Sequence, residues 1–462
     1  MGTIAEKLTY LNSTKQAIKQ AIIDKGVPVE DADSFRSYAA KIADISSGGG
    51  EEPTQWSWPS GWPDILSIVE NDTDDVYPYK CIFLLTNDCP EFGYSLGGNV
   101  EKVLTSDGTT YTSDFTHTWD PLQDVGEYRY VILYMSGDWT FQKDDRPISI
   151  AYNSAFMSGQ TSAYSMFYEC SSLRTIPLMD TSNITNFSQM FYRCYALKSI
   201  PPLNMSNATS TYRMFYEAYS IETFPEVDLS NLISASYMFN SCPALRSFRG
   251  FNTGNVTQFS YMFRDCFALE DVASLDTSSG TNFSYMFDGC YSLQEIPPID
   301  TSNGTNFNSM FDSCGALREI PPLDTSNGTN FGNMFYRCFS LTSIPLIDTS
   351  KGTYFSSMFF VANGMQSIPA LDVSSGTSFS NMYSSCYTLQ HIDTSVPGSH
   401  IYNYSVSFQN SPYLSRTSII NIFNNLPTKT GETITIDTVT DAKLSTADKE
   451  IATNKGWTVA VS

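Results

Sequence analysis

The chain has 462 residues, with 26 Lys or Arg against 48 Asp or Glu, a net charge of −22 carried by only 16% charged residues. That balance excludes an electrostatic grip on nucleic-acid phosphates or anionic lipid, and no run of about 18 apolar residues is present for membrane insertion. With 28 Tyr and 30 Phe, the surface is expected to be neutral, aromatic and rich in hydroxyl and amide groups, which suits sugars and proteins.

Residues 1–45 are predicted to form a helical attachment and oligomerisation domain. Leu8, Leu11, Ile18 and Ile22 recur at helical spacing, and Gly26 with Pro28 marks a stop. A second helix places Phe35, Tyr38 and Ile42 on one side. So short a pair buries little apolar surface, so docking on a partner or self-association is expected. Glu6 and Lys7 are followed by no apolar signal core, which predicts synthesis in the cytoplasm without a signal peptide. Residues 46–55, opening on Ser46-Ser47-Gly48-Gly49-Gly50, read as a flexible linker. Residues 56–150 read as a β-rich domain that also covers the start of the next segment. Its strand signals are Cys81–Leu85, Tyr128–Tyr134 and Pro147–Ile150.

Residues 151–411 hold a repeat. Met166, Met190, Met214, Met238, Met262, Met286, Met310, Met334, Met358 and Met382 stand 24 residues apart without insertion or deletion, each followed by Phe except the last, which precedes Tyr383. A fixed period of this length is the signature of a solenoid whose units stack only on their neighbours. Taking each Met as position 0, Leu recurs at +7 (Leu173, Leu197, Leu245, Leu293, Leu317, Leu341) and Ile at +10 (Ile176, Ile200, Ile296, Ile320, Ile344, Ile368). Phe recurs at −3 (Phe187, Phe259, Phe283, Phe307, Phe331, Phe355, Phe379). These columns are expected in the core, since any one left exposed would form an apolar stripe. Eight cysteines lie at +4 (Cys170, Cys194, Cys242, Cys266, Cys290, Cys314, Cys338, Cys386), and Ala218 and Ala362 fill the same place. Cys exchanged for Ala points to a small buried residue rather than a disulfide or a metal ligand. Gly280, Gly304, Gly328, Gly352 and Gly376 are expected where the backbone turns left-handed. Residues 412–462 lose the period and read as a mixed α/β C-terminal cap, with a helix around Ile419–Leu426 and strands at Thr433–Ile436 and Trp457–Val461.

Catalytic signals are few. The three histidines (His117, His391, His400) accompany no nucleophile or metal motif, so no enzyme is expected. Asp180, Asp228, Asp276, Asp300, Asp324, Asp348 and Asp372 form a carboxylate ladder, which mutual repulsion raises in pKa unless it is neutralised. Hydrogen bonding to each Asp's own Thr-Ser turn is the expected role; calcium held between coils is the alternative, and no other cofactor is expected. The better ligand-binding candidates are the rings at +5, Tyr195, Tyr219, Phe267, Tyr291, Phe339 and Tyr387, with Tyr168, Tyr192, Tyr216 and Tyr336 nearby at +2. Rings in register stack on sugar faces or anchor a protein; packing between coils is the competing role.

The unit seen across Met286 to Ser309, Met-Phe-x-x-Cys-x-x-Leu-x-x-Ile-Pro followed by Asp-Thr-Ser-Asn and Thr-Asn-Phe, resembles the BspA-like and Mycoplasma-lipoprotein leucine-rich repeats. The resemblance implies a right-handed solenoid of short parallel strands. Pro297, Pro298, Pro321 and Pro322 depart from it, since proline cannot donate to a ladder, so the strands must be very short or end there. Thr3 to Val27 is similar to the leader of structural proteins from phages of gut bacteria, and Ala452 to Thr458 to the ending of repeat proteins from the same setting. Together these imply a virion-surface fibre, of head or tail, attached to other virion proteins through its N-terminus. The fibre would be a homo-oligomer that presents the solenoid to a host glycan or protein receptor. A bacterial cell-surface adhesin is the alternative, and a polysaccharide depolymerase a more distant one.

Overall fold

The computed structural model describes residues 160–462 with short gaps, together with residues 79–86, 91–94, 100–105, 109–112, 115–118, 128–135 and 149–152. The attachment residues Leu8, Leu11, Ile18, Ile22, Phe35, Tyr38 and Ile42 lie outside the described residues.

The first described segment is antiparallel. Strands β1 (Tyr79–Thr86), β3 (Val100–Thr105), β4 (Thr110–Tyr111), β6 (Tyr128–Met135) and β7 (Ser149–Tyr152) form one sheet in the order β4-β3-β6-β1-β7, and β2 (Glu91–Tyr94) pairs with β5 (Phe115–Thr118). Alternating apolar residues explain the sheet's buried face: Val103, Val131 and Met166 belong to one continuous hydrophobic cluster, so the sheet shares its core with the first coil.

From residue 160 onward the chain forms a leucine-rich-repeat-like solenoid. The Met, Phe, Cys, Leu and Ile columns are buried in every coil, and successive core rings stack, as for Phe287–Phe311–Phe335 with centroids 5.9 Å apart at each step. The ladder between coils is not where the resemblance put it. At the Ile columns only four two-residue strands form, β8 (Ser247–Phe248) with β9 (Asp271–Val272) and β10 (Ser367–Ile368) with β11 (His391–Ile392), all parallel. Proline after the Ile removes the donor. Where Asp393 replaces it, its N–H reaches the Ile368 carbonyl of the coil before at 2.9 Å.

The continuous ladder runs instead through the Met segment. Single parallel bridges link position −4 of each coil to the next, from Ser162–Asn186 through to Tyr354–Ser378. In the second coil the N–H groups of Phe187, Gln189, Phe191 and Arg193 donate to carbonyls of the third coil at 2.8–2.9 Å, while those of Met190, Tyr192 and Cys194 close turns on their own coil at 3.2 Å. This alternation needs a left-handed residue at −1 and +3. The chain uses ordinary side chains there, such as Gln189 at φ 57° and Arg193 at φ 56°, and glycine only at Gly289. Such backbone costs roughly 1–2 kcal/mol per residue, offset by the fully paired ladder.

The recurring glycines are therefore not the left-handed ones, and the expectation for Gly280, Gly304, Gly328, Gly352 and Gly376 is corrected. None has positive φ. A Cβ on any of them would sit 2.2–2.4 Å from Cζ of the Phe three residues on. In these five coils the ring of the −3 column lies across the glycine backbone, whereas in two others Ile184 and Val256 fill the same position beside Phe187 and Phe259.

Residues 406–462 continue the stack with mixed α/β coils, the helix and strands falling where the sequence placed them. β12 (Val406–Phe408), α1 (Arg416–Asn425), β13 (Thr433–Ile436), α2 (Thr438–Asp441), α3 (Thr446–Thr453) and β14 (Thr458–Val461) form longer coils with a parallel sheet β12-β13-β14. Phe408 stacks on Tyr383 at 5.0 Å, continuing the core. Ser415 caps α1, and a capping box joins Ser445 to Asp448, whose carboxylate also pairs with Arg416 at 2.7 Å.

Candidate functional site

The six +5 rings sit two residues beyond the left-handed +3 residue, and in two of them the +3 carbonyl accepts the ring residue's own N–H, Arg193 for Tyr195 and Gly289 for Tyr291, both at 2.9 Å. That turn throws the side chain outward. Tyr219, Phe267, Tyr291, Phe339 and Tyr387 are 43–53% exposed, whereas Tyr195 is half-buried. The structure does not bring all six together. Tyr195 stacks on Tyr219 at 4.9 Å and Phe267 on Tyr291 at 5.2 Å, while Pro243, Gly315 and Asn363 interrupt the column and leave Phe339 and Tyr387 as single rings. The column is thus two aromatic steps and two isolated platforms.

The +2 rings pack between coils. Tyr168, Tyr192 and Tyr216 form a stack with steps of 4.7 and 5.0 Å, and Tyr336 stacks on Phe360 at 5.4 Å. Alongside them Arg193 bridges Glu169 at 3.1 Å and Glu217 at 2.9 Å, which holds its guanidinium charged. Burial raises the phenol pKa of Tyr192, Tyr216 and Tyr219, so all three stay protonated donors. A further aromatic column went unread in the sequence. Tyr237, Tyr261 and Tyr285 at −1 stack at 4.3 and 4.4 Å, and Arg213 lies 5.0–5.3 Å from the rings of Tyr212, Tyr216 and Tyr237. Its 24-residue spacing was the available signal, but it covers three coils only.

Where the tyrosines stop, carboxylates take over. Asp288 is pushed up to about 6 and Asp312 to about 7, in both cases first by burial; Arg264, 2.9 Å from Asp288, opposes the shift. The other ladder behaves as an Asx ladder. Each aspartate from Asp180 to Asp372 accepts from the backbone N–H of the serine two residues on, at 2.9–3.1 Å. Hydrogen bonding from that serine, through its hydroxyl and its N–H, holds Asp180, Asp276, Asp324 and Asp348 below the usual carboxylate range, the reverse of what repulsion alone would give. Among the described residues no group of three or more His, Cys, Asp or Glu is placed to hold a metal ion. The eight described cysteines are free and buried, and seven of them donate their thiol to a Phe carbonyl of the preceding coil, as Cys290 does to Phe263 at 3.2 Å. His400 is buried, with Nδ1 3.0 Å from the Tyr402 hydroxyl and Nε2 3.1 Å from the Pro369 carbonyl. His391 lies against Ser418, and His117 stands on β5 opposite Phe92.

With this geometry in view, the chain matches the family described as "Mycoplasma protein of unknown function, DUF285" over residues 157–248, 223–320 and 316–419, more than half its length. The chain belongs to this family. The DUF285 matches coincide with the ladder-bearing coils and stop within the helix-bearing ones. Two solved leucine-rich-repeat receptors are similar. One is TLR13 in complex with ssRNA13, at 13% identity and TM-score 0.25 over 60% of this chain and 38% of that one. The other is the plant peptide hormone receptor RGFR1 in complex with RGF2, at 10% identity and TM-score 0.16 over 64% and 68%. This DUF285 chain therefore spans well under half of the first receptor's length. No curated protein sequence matches it.

Proposed function

We propose that the solenoid is a surface-presented binding protein that engages a cell-surface glycan or protein through its +5 aromatic column, without catalysis and without a cofactor. One observation carries the reading: five of these six rings stay exposed while the Met, Phe, Cys and Leu columns beside them are buried. A ring held by a rigid ladder loses little entropy on binding, and repeated platforms permit several weak contacts to act together. Within that reading, a bacterial surface adhesin draws support from the DUF285 repeats. A virion fibre, homo-oligomeric and attached to other virion proteins through residues 1–45, draws support from the resemblance of Thr3 to Val27 and Ala452 to Thr458.

Binding is tested by glycan arrays and whole-cell adhesion with the full chain against a Tyr219→Ala/Tyr291→Ala variant. At about 1–2 kcal/mol per anchoring ring, binding should fall tenfold or more; unchanged binding with an unchanged melting curve rejects the column as the site. Location is tested by immunogold microscopy with antibody to residues 151–411. Gold on particles supports the fibre, and gold on the bacterial envelope with bare particles supports the adhesin.

A further inference from the structure

The Asx ladder is not the same along its length. In the coils that carry Asp324, Asp348 and Asp372 it borders a groove of about 530 Å³, which Val396, Gly398 and Ser399 also line, where the Thr-Ser-Asn-Gly pattern fails. Two aliphatic side chains line this groove unusually openly, Leu346 at 67% and Val396 at 50% exposure. The serine at its end, Ser399, is only 2% exposed, yet its Oγ has no hydrogen-bond partner. Next to it Gly398 has φ +87°, and nothing lies within 4 Å of where its Cβ would be, so the groove is open at that point.

The charge of the wall selects the occupant. Each of the three aspartates spends one oxygen on its serine, at 3.0, 2.9 and 3.0 Å, and the same bonds keep Asp324 and Asp348 ionised. The lysine of this stretch, Lys351, donates to Asn327 Oδ1 at 2.7 Å. Parallel coils lie about 4.8 Å apart, so the three carboxylates span about 10 Å, while same-side residues of an extended chain lie about 7 Å apart. Two flexible basic side chains therefore cover three carboxylates, and Leu346, two residues before Asp348 on the same outward side, offers apolar surface beside them. We propose that this groove docks an extended basic segment of a partner protein. Lys or Arg would lie on Asp324, Asp348 and Asp372, and apolar side chains against Leu346 and Val396. The site is separate from the aromatic column and stands or falls independently of it.

The chain supplies its own controls. Asn204 occupies the ladder position of one coil and accepts from Ser206 N–H at 3.2 Å, so Asp→Asn keeps the turn and removes only the charge. Asp180 and Asp228 carry the same charge on coils that do not line this groove. The probe is a fluorescent peptide of alternating Lys and Val, titrated by anisotropy onto the full chain, beside versions with Glu for Lys and with Gly for Val. The expected result is saturable binding of the Lys-Val peptide. It should weaken about tenfold or more in D324N/D348N/D372N and in Gly398→Asn, which tolerates positive φ while filling the groove. It should change less than about twofold in D180N/D228N. Absence of saturable binding, an equal loss in D180N/D228N, or equal binding of the Glu-bearing or Gly-bearing peptide would each overturn the proposal, the Glu-bearing peptide by showing that charge is not responsible and the Gly-bearing one by showing that the acidic surface alone is.

Discussion

Gly304 and Phe307 give the sharpest test of how the coil is built. A Cβ at residue 304 would lie 2.4 Å from Phe307 Cζ and 2.9 Å from the Thr301 carbonyl. The ring cannot swing away, because it stacks between Phe283 and Phe331 with centroids 5.7 Å off on either side. Gly304→Ala should therefore cost about 1–3 kcal/mol and Gly304→Leu about 3 kcal/mol. Phe307→Ala, which opens a cavity, should cost about 3–5 kcal/mol. In one coil the exchange is paired, with Leu232 and Ala235 in the equivalent positions, both buried; where Ile184 and Val256 replace the glycine, Phe187 and Phe259 are kept, so the cost at residue 304 is that of the ring position in its own coil. The double variant Gly304→Leu/Phe307→Ala should accordingly lie only about 3 kcal/mol below the parent, against about 6 or more for the sum of its parts, a coupling at the upper end for touching residues. Urea unfolding followed by circular dichroism gives the midpoints, with the slope checked for loss of cooperativity between coils. Strict additivity would refute the packing argument. So would a neutral Gly304→Asn beside a costly Gly304→Ala, which is the pattern of a left-handed glycine.

Three other outcomes follow from the same geometry. Val361 is a β-branched residue at φ 59°, so Val361→Asn should raise the melting temperature by a few degrees, and a fall would mean the left-handed ladder is misassigned. Burial raises Asp312 to about 7 from an unfolded value near 3.8, so the folded state holds the extra proton between those values and stability drains as pH rises from about 4 to 7. Asp312→Asn should cancel that part of the decline, and a variant-minus-parent stability difference that stays flat with pH would exclude it. Burial pushes the cysteine thiols up, Cys386 to about 12, so peptide mapping after maleimide treatment at pH 8 should find the eight described cysteines unlabelled in the native protein and labelled in urea. Native labelling at Cys290 would contradict its placement in the core.

The core was legible because it repeats. Cys exchanged for Ala218 and Ala362, and Leu and Ile columns exchanged only for other large apolar residues such as Ile221, Met365 and Phe248, say buried and small or buried and large without reference to any backbone. The path of that backbone was not legible. The residues at −1 and +3 include Gln189, Arg193, Tyr261, Asp265 and Val361, which share neither size nor polarity, so nothing in their types announces a left-handed conformation. It is imposed from outside by the need to alternate bonds within and between coils, and tertiary hydrogen bonding overrides local preference. The glycines misled for the same reason: a residue chosen for lack of space looks the same in sequence as one chosen for φ. The aspartates were read more nearly, since an Asx turn is local chemistry that one coil contains whole.

The candidate sites follow the opposite logic. A column that every coil repeats is one that the stack itself requires, and its side chains are consumed by core packing or by the ladder. The positions free to differ between coils are those the stack does not use. At +5 the sequence moves through Tyr, Pro, Phe, Gly and Asn without disturbing the coil, and there the exposed rings are found. The groove likewise arises where Val396 and Gly398 break the Thr-Ser-Asn-Gly turn, and the charged wall it borrows is ordinary ladder. In D324N/D348N/D372N the ladder bonds persist while the groove loses its charge, so the variant separates the two roles within one set of residues. If its melting curve matches the parent's while peptide binding is lost, the aspartates serve the fold through one oxygen and a partner through the other. If stability falls with binding, the carboxylates belong to the ladder alone.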